Sequence, residues 1–391
     1  MKIAMIGQKA VPFYRDGGVE THVEALATRL AKRGHEVTVF VRRRYLATKE
    51  DIWQGVKLAR VPEIPTKHFG TISSTFFATL CAVFGRCQGF PAKAWQAGVR
   101  GQRYDVIHYH GVGPSLLSWI PRLFTRAKIV VTFHSIDRFH AKWGFFSRCM
   151  LRMGEWTATH FPHVTIAVSR TIQSYCKERF GKEVHYIPNG VSVRRVSSAQ
   201  HLAQWGLKKD GYILTVARLV RHKGIHTLIE AFKSIPDAVR GEMRLVIVGA
   251  PSFTSDYETY LKSIAAEDHR IVFVGYQTGE ALDQLFAHCY LYAHPSESEG
   301  LSLTILEAMS FGKSVVLSNI PENLEPMDHS GIPFIVGDVP DLAEKIVSLI
   351  NHPEIVSERG ARGVGFIKRY FEWEKIADDT AQLYQEVVSA K

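Results

Sequence analysis

The segment from His294 to Glu307 places two carboxylates, Glu299 and Glu307, eight positions apart, with Gly300 between them and an apolar run that reads as the start of a helix. Glu299 falls before that helix and Glu307 about a turn inside it, so the two acids do not share a helical face. The expected result is a polar pocket at a helix N-terminus, with a carboxylate at its rim and unsatisfied N–H groups pointing outward. Such an end favours phosphate, and carboxylates beside it accept hydrogen bonds from hydroxyls. A diphosphate flanked by hydroxyl-rich rings, as in a nucleotide sugar, would use every part of this pocket. Ordinary capping is the structural alternative, because Ser296, Ser298 and Ser302 all precede the apolar run.

Arg218 and Lys223 add the complementary charge. A strand, then Arg218, four residues, Lys223-Gly224 and a new helix set two cations at a strand end, where both could contact a diphosphate. Solvated loop charges are the usual fate of such residues, but here they accompany the two glutamates. Gly17-Gly18 precedes another helix and permits either a close backbone approach or a simple turn. It is not a dinucleotide fingerprint, since Gly7 is followed by Gln8, Lys9 and Ala10. His134 and Asp137 close a strand, His134 as a catalytic candidate and Asp137 as a candidate on the acceptor side of a site. His108 and His110 alternate along another strand, and at most one of them, with His110 as the candidate, is expected to face a ligand. No H-E-x-x-H, Cys/His cluster or D-x-D pattern is present. Neither a metal nor another cofactor is expected, because Arg218, Lys223 and a helix N-terminus can stabilise a leaving phosphate.

These residues need elements to position them. Lys2–Ile6, Glu36–Val41, Val106–His110, Lys128–Phe133 and Val164–Val168 read as strands, separated by helical patterns at Val19–Arg33, Ser115–Phe124 and Thr171–Phe180. Ile187-Pro188-Asn189-Gly190 is a strong turn signal. A second alternation runs through Tyr212–Ala217, Arg244–Gly249, Ile271–Gly275, Leu291–His294, Ser314–Ser318 and Pro333–Val336. Two doubly wound parallel sheets follow, with ligands expected outside the carboxyl ends of the strands. The length of 391 residues agrees with two domains.

Charge divides the chain in the same way. Residues 1–190 carry 28 Lys and Arg against 12 Asp and Glu, a net of +16; the remainder carries 20 against 26, a net of −6, which sums to the overall +10. An anionic partner for the first half is implied. Arg42, Arg43, Arg44, Lys67, Arg86, Lys93, Arg100 and Arg103 surround two apolar segments, Thr71–Phe84 and Phe90–Trp95. This composition suits the anionic cytoplasmic face of a membrane; a core helix with a solvated basic rim is the alternative. The run Thr71–Phe84 is only 14 residues, short for a spanning helix. Five cysteines without a C-x-x-C pair argue against a disulfide framework or a zinc site, and for a reducing, cytoplasmic setting.

In order, Gly17-Gly18-Val19-Glu20-Thr21-His22, Ile187-Pro188-Asn189-Gly190-Val191, Val216-Ala217-Arg218-Leu219 with Lys223-Gly224, and Glu299 with Glu307-Ala308-Met309 resemble the family 4 retaining glycosyltransferases of the GT-B fold. The terminal Phe371-Glu372-Trp373-Glu374-Lys375-Ile376, with Tyr384, resembles that family's last helix. The resemblance covers essentially the whole chain and is nearest to bacterial and archaeal enzymes building cell-surface or lipid-linked glycans.

It implies two Rossmann-like α/β domains facing a central cleft: residues 1–190 for the acceptor, 191–370 for a nucleotide-sugar donor, and a helix at 371–391 crossing back. Arg218 and Lys223 would hold the diphosphate, with backbone groups of Gly300, Leu301, Ser302 and Leu303 and of Gly17 or Gly18. Glu307 would bind ribose hydroxyls, Glu299 would contact the transferred sugar, and His134 would lie near that sugar's reacting face. The acceptor would be a glycan or a polyprenyl-linked one. Ser302, where proline or glycine is common, and Ser135, inside the His134–Asp137 motif, depart from the pattern. A nucleic-acid-binding protein, suggested by the basic charge, lacks any recognition motif. A nicotinamide-dependent oxidoreductase lacks the fingerprint, and a nucleotide-sugar-binding protein without catalysis would not need the full set of Glu299, Glu307, Arg218 and Lys223.

Overall fold

The computed structural model describes residues 1–12, 17–64, 69–85, 103–136, 144–251, 256–327 and 330–390. It divides into two compact units, one of Met1–Asn189 with Trp373–Lys391 and one of Gly190–Glu372.

The first unit is built on eight strands: β1 (Lys2–Ile6), β2 (Glu36–Arg42), β3 (Ile52–Trp53), β4 (Val56–Val61), β5 (Val106–His110), β6 (Lys128–Phe133), β7 (Val164–Ala167) and β8 (His185–Tyr186). Their order is β3-β4-β2-β1-β5-β6-β7-β8, all parallel except the short β3–β4 pair. The order reverses at β1 and β5, which pair from Ile3–Val106 to Ile6–Tyr109. Continuous runs such as Val37, Thr38, Val39, Phe40 and Val41 of β2 are buried, as a sheet covered on both faces requires. The helix Trp373–Ser389 belongs to this unit: Trp373, Ile376, Ala377, Tyr384 and Val387 pack into a core with Val23, Leu26 and Leu30 of the helix Gly18–Lys32.

The second unit has six parallel strands: β9 (Tyr212–Val216), β10 (Arg244–Val248), β11 (Ile271–Gly275), β12 (Leu291–His294), β13 (Val315–Ser318) and β14 (Gly331–Phe334). Their order is β11-β10-β9-β12-β13-β14, with its switch between β9 and β12. The helices Ile225–Ser234 and Val339–Asn351 bury Leu228, Phe232, Leu342 and Ile346 against it.

The structure departs from the sequence expectations in several places. Strands β3, β4 and β8 fall in stretches that show no clear alternation. The last strand lies at Gly331–Phe334 instead of Pro333–Val336. The helix expected over Ser115–Phe124 is broken into Val112–Ser115 and Trp119–Phe124. Pro121 has no N–H to offer the Leu117 carbonyl, so a continuous helix would lose that bond. Cys81 is disulfide-bonded, contrary to the inference from the cysteine pattern, whereas Cys149, Cys176 and Cys289 are free thiols.

Candidate active site

The second unit gathers its chemistry at the switch between β9 and β12. Arg218 and Lys223 follow β9, and Glu299 follows β12. The loops are stapled together through His222, whose carbonyl accepts from the Glu297 N–H at 2.8 Å and from the Ser296 hydroxyl at 3.2 Å. Gly224, at φ +63°, caps the next helix, and a Cβ there would meet the Pro295 carbonyl oxygen at 2.0 Å. Only glycine permits both the left-handed turn and this backbone approach. The close approach sets Lys223 against Glu299, Nζ to Oε1 at 2.5 Å, with both side chains nearly buried at 13% and 10% exposure.

His294, the last residue of β12, completes the cluster. Its Nε2 lies 2.8 Å from Glu299 Oε1, and its Nδ1 lies 3.3 Å from the Tyr292 hydroxyl. Burial alone would raise the Glu299 carboxyl, but the Lys223 charge and the His294 hydrogen bond outweigh it and hold the carboxyl well below the usual range. Burial also lowers His294, despite its bond to Glu299. The imidazole is therefore neutral, with Nε2–H donating to the carboxylate.

Gly300, Leu301 and Ser302 lead into the helix Leu303–Ser310, with Glu307 half-buried on its second turn. Capping does not consume this end. Ser302 stands at the N-cap without a side-chain bond to a first-turn amide; its hydroxyl lies 3.1 Å from that of Thr304. The Ser296 hydroxyl turns to the carbonyls of His222 and Ser298. Arg218 is exposed two residues beyond β9.

The first unit gathers histidines at its own switch. Gly17 is the N-cap of the helix that starts at Gly18, and His22 stands one turn inside it. His22 Nδ1 donates to Asn189 Oδ1 at 3.0 Å, joining two of the motifs, and its ring lies edge-on to Trp373 at 5.4 Å from a third. His110 ends β5 and His134 follows β6; His110 Nδ1 and His134 Nε2 are 3.3 Å apart. Asp137 lies outside the described residues.

His108 and His110 do not face opposite ways. Residues two apart in a strand share a face, and both rings are buried on one side with centroids 4.0 Å apart. His108 is occupied structurally: its Nδ1 meets the Tyr384 hydroxyl at 2.5 Å and its Nε2 the Thr132 hydroxyl at 2.7 Å. Burial lowers all four imidazoles, His22 to about 4 and His108 to about 3, with neighbouring rings adding to the effect on His108, His110 and His134. They are neutral at pH 7.

Among the described residues, only His22, His110 and His134 form a group of metal-capable side chains, their ligand atoms lying within 4.8 Å of one another. A tetrahedral Zn²⁺ with bonds of about 2.0–2.1 Å sets nitrogens about 3.4 Å apart. The His110–His134 pair has that spacing; the trio as a whole is wider. His22, Asn189 and His294 were not singled out from sequence as site residues. The Tyr292–His294 alternation at a strand end was the one available signal for the last.

Two family patterns match the chain, one described as glycosyltransferase family 4 over residues 16–195 and one as glycosyl transferases group 1 over residues 198–363. The chain belongs to the family 4 glycosyltransferases. A phosphatidyl-myo-inositol mannosyltransferase of Mycobacterium leprae is 26% identical to this glycosyltransferase over 400 residues, covering 100% of this chain and 98% of the relative. A glycogen synthase of Mycobacterium tuberculosis is 26% identical over 403 residues, covering 98% and 94%. Among solved structures, a sucrose-phosphate synthase of Thermosynechococcus elongatus superimposes with a TM-score of 0.83 at 22% identity over all of both chains. Anabaena HepE, solved with UDP-glucose, gives 0.76 at 20% identity over 99% of this chain and 100% of its own. The glycosyltransferase therefore has the GT-B fold of two Rossmann-like sheets, and it is an enzyme.

Proposed function

We propose that this glycosyltransferase is a retaining, metal-independent enzyme that moves a hexose from a UDP- or GDP-sugar to a hydroxyl of a glycan or lipid-linked acceptor. The observation that carries this reading is the Lys223–Glu299 pair beside an uncapped helix N-terminus at the β9/β12 switch. Lys223 and Arg218 bind the diphosphate, with the amides of Gly300 to Leu303 completing the anion site. Glu307 takes the ribose hydroxyls and Glu299 those of the transferred sugar. Gly17 and Gly18 supply backbone groups to the donor, His134 serves the reacting face of the transferred sugar, and His110 and Asp137 serve the acceptor side.

Attack comes from the face that the leaving group departs. The acceptor oxygen forms the new bond to the anomeric carbon, the bond to the diphosphate oxygen breaks, and that oxygen takes the acceptor proton. Glu299, held anionic, is an electrostatic and positioning group and not a nucleophile. The leaving charge meets Lys223, Arg218 and the helix end, so no metal and no other cofactor is required. A screen of UDP-, GDP- and dTDP-sugars by thermal shift and by release of free nucleotide tests this. Stabilisation by one donor and loss of that stabilisation in Glu307→Ala support it; no binding and no release with any donor overturns it.

The surface of the first unit supports an acceptor carried by a membrane. In the helix Phe69–Phe84 the buried side is small and polar (Ser73, Ser74, Thr75, Ala78 and Thr79), whereas Ile72, Phe76 and Phe84 are exposed. Phe84 meets Phe124 at 5.9 Å, extending the apolar surface to the exposed Trp119 and Leu123, with Arg122 and Arg126 beside them. Aromatic groups flanked by cations suit peripheral docking on an anionic inner leaflet. No described helix is long and apolar enough to cross a membrane. Two of the basic residues have another use, since Arg42 is buried and both Arg42 and Arg44 pair with Glu63 at 3.8 and 2.8 Å. Arg43 and Arg103 are exposed; Lys67, Arg86, Lys93, Arg100 and Phe90–Trp95 lie outside the described residues.

A further inference from the structure

We propose that His294 is a positioning residue that keeps Glu299 aimed at the transferred sugar when Lys223 leaves Glu299 for the donor diphosphate. The inference rests on the donor-site reading above and goes beyond it, because it assigns the pair two arrangements and names the group that makes the exchange workable.

Both hydrogen bonds to the Glu299 carboxylate fall on one oxygen. Lys223 Nζ and His294 Nε2 reach Oε1 at 2.5 and 2.8 Å, and neither reaches Oε2. A lysine is a flexible point charge that transfers readily to a stronger anion such as a diphosphate. A histidine in the last position of a buried strand has no such freedom. His294 is 2% exposed and is fixed from behind by the Tyr292 hydroxyl at 3.3 Å. The same hydroxyl lies 3.3 Å from the Val216 carbonyl oxygen at the end of β9. Buried groups at the ends of two neighbouring strands thus hold the imidazole against the carboxylate expected to hold sugar. With Lys223 withdrawn, an unsupported carboxylate would lose its partner and its rotamer. With His294 in place it keeps a donor on Oε1 and presents Oε2 to a sugar hydroxyl.

The test compares His294→Leu, which removes the donor, with His294→Gln, whose amide can replace Nε2–H. With the preferred nucleotide sugar, His294→Leu should lower kcat by roughly 10- to 100-fold, the scale of about 1 Å of misplacement, while the affinity for the free nucleoside diphosphate changes less than threefold, or about 0.7 kcal/mol. His294→Gln should restore most of kcat. A His294→Leu enzyme with unchanged kcat, an inactive but folded His294→Gln enzyme, or equal losses of nucleotide affinity and kcat would overturn the proposal. A second measurement needs no donor. In Lys223→Ala protein, the Glu299 carboxyl followed by carbon NMR should still titrate low, and should rise when His294→Leu is added; an identical titration in both overturns the positioning role. If the wild-type chain turns over no nucleotide sugar, the proposed function falls, while this titration still decides what His294 does to Glu299.

Discussion

Lys223 Nζ stands 2.5 Å from Glu299 Oε1, across 76 positions of sequence, because Gly224 lets one loop press its backbone against Pro295 of the other. A nearly buried ion pair of this kind costs desolvation on both sides, which offsets much of its mutual attraction.

Removing one partner should therefore be worse than neutralising the function alone. Lys223→Ala is expected to destabilise the second unit by about 3 kcal/mol, since it strands the Glu299 charge. It should also weaken nucleoside diphosphate binding about 10- to 100-fold, the worth of a charge-assisted contact. Denaturant unfolding and calorimetric titration with UDP and GDP check the two effects separately.

Gly224→Ala should disturb the same site without touching its chemistry. The left-handed φ alone costs about 1–2 kcal/mol for a residue with a Cβ, and the 2.0 Å approach to the Pro295 oxygen forces the loops apart. A loss on the order of 3 kcal/mol in stability, together with weaker nucleotide binding, is expected in paired unfolding and binding measurements.

The buried histidines make acid destabilisation a property of the first unit. His22 falls from 6.5 to about 4 on folding because burial disfavours its charged form. The unfolded chain then binds more protons below pH 6.5, and stability drops as pH falls from 6.5 towards 4. The contribution of His22, about 3 kcal/mol at neutral pH, is lost over that window. His22→Phe should flatten the pH dependence of the midpoint; an unchanged slope would remove His22 as its source.

The proposed metal independence has a direct test. Transfer measured in excess EDTA should proceed at the untreated rate, because Lys223, Arg218 and the helix end supply the positive charge. Abolition that Mg²⁺ reverses would require a metal in the donor site, and abolition that only Zn²⁺ reverses would point to His22, His110 and His134.

Leu123→Ser with Phe124→Ser removes two exposed apolar groups, each worth about 1.5–3 kcal/mol when buried. The double variant should lose binding to anionic vesicles at low salt while soluble acceptors are still glycosylated. Equal vesicle binding by wild type and variant would move the membrane contact elsewhere.

Much of the candidate site is readable because its residues announce themselves locally. Glu299, Gly300 and the apolar run after Ser302 mark a helix start by composition, and Lys223-Gly224 marks a strand-to-helix turn. Their shared edge follows from strand alternation, since parallel strands place all such turns at one end. His294 was not legible, because a histidine at a strand end looks the same whether it meets a carboxylate or a hydrophobic neighbour. His108 and His110 show the opposite failure: the two-residue period of a strand places both rings on one face, and only the roles of Tyr384 and Thr132 separate them.

The sequence by itself determined the two doubly wound sheets, the family, and the cations and carboxylates set at one sheet edge, since these depend on short-range pattern. Tertiary structure alone decided which groups touch. It placed Lys223 on Glu299, His22 on Asn189 and Tyr384 on His108, and paired Arg42 and Arg44 with Glu63. Such contacts join residues far apart in the chain, and their energies come from burial and from the proximity of charges, which no local pattern encodes.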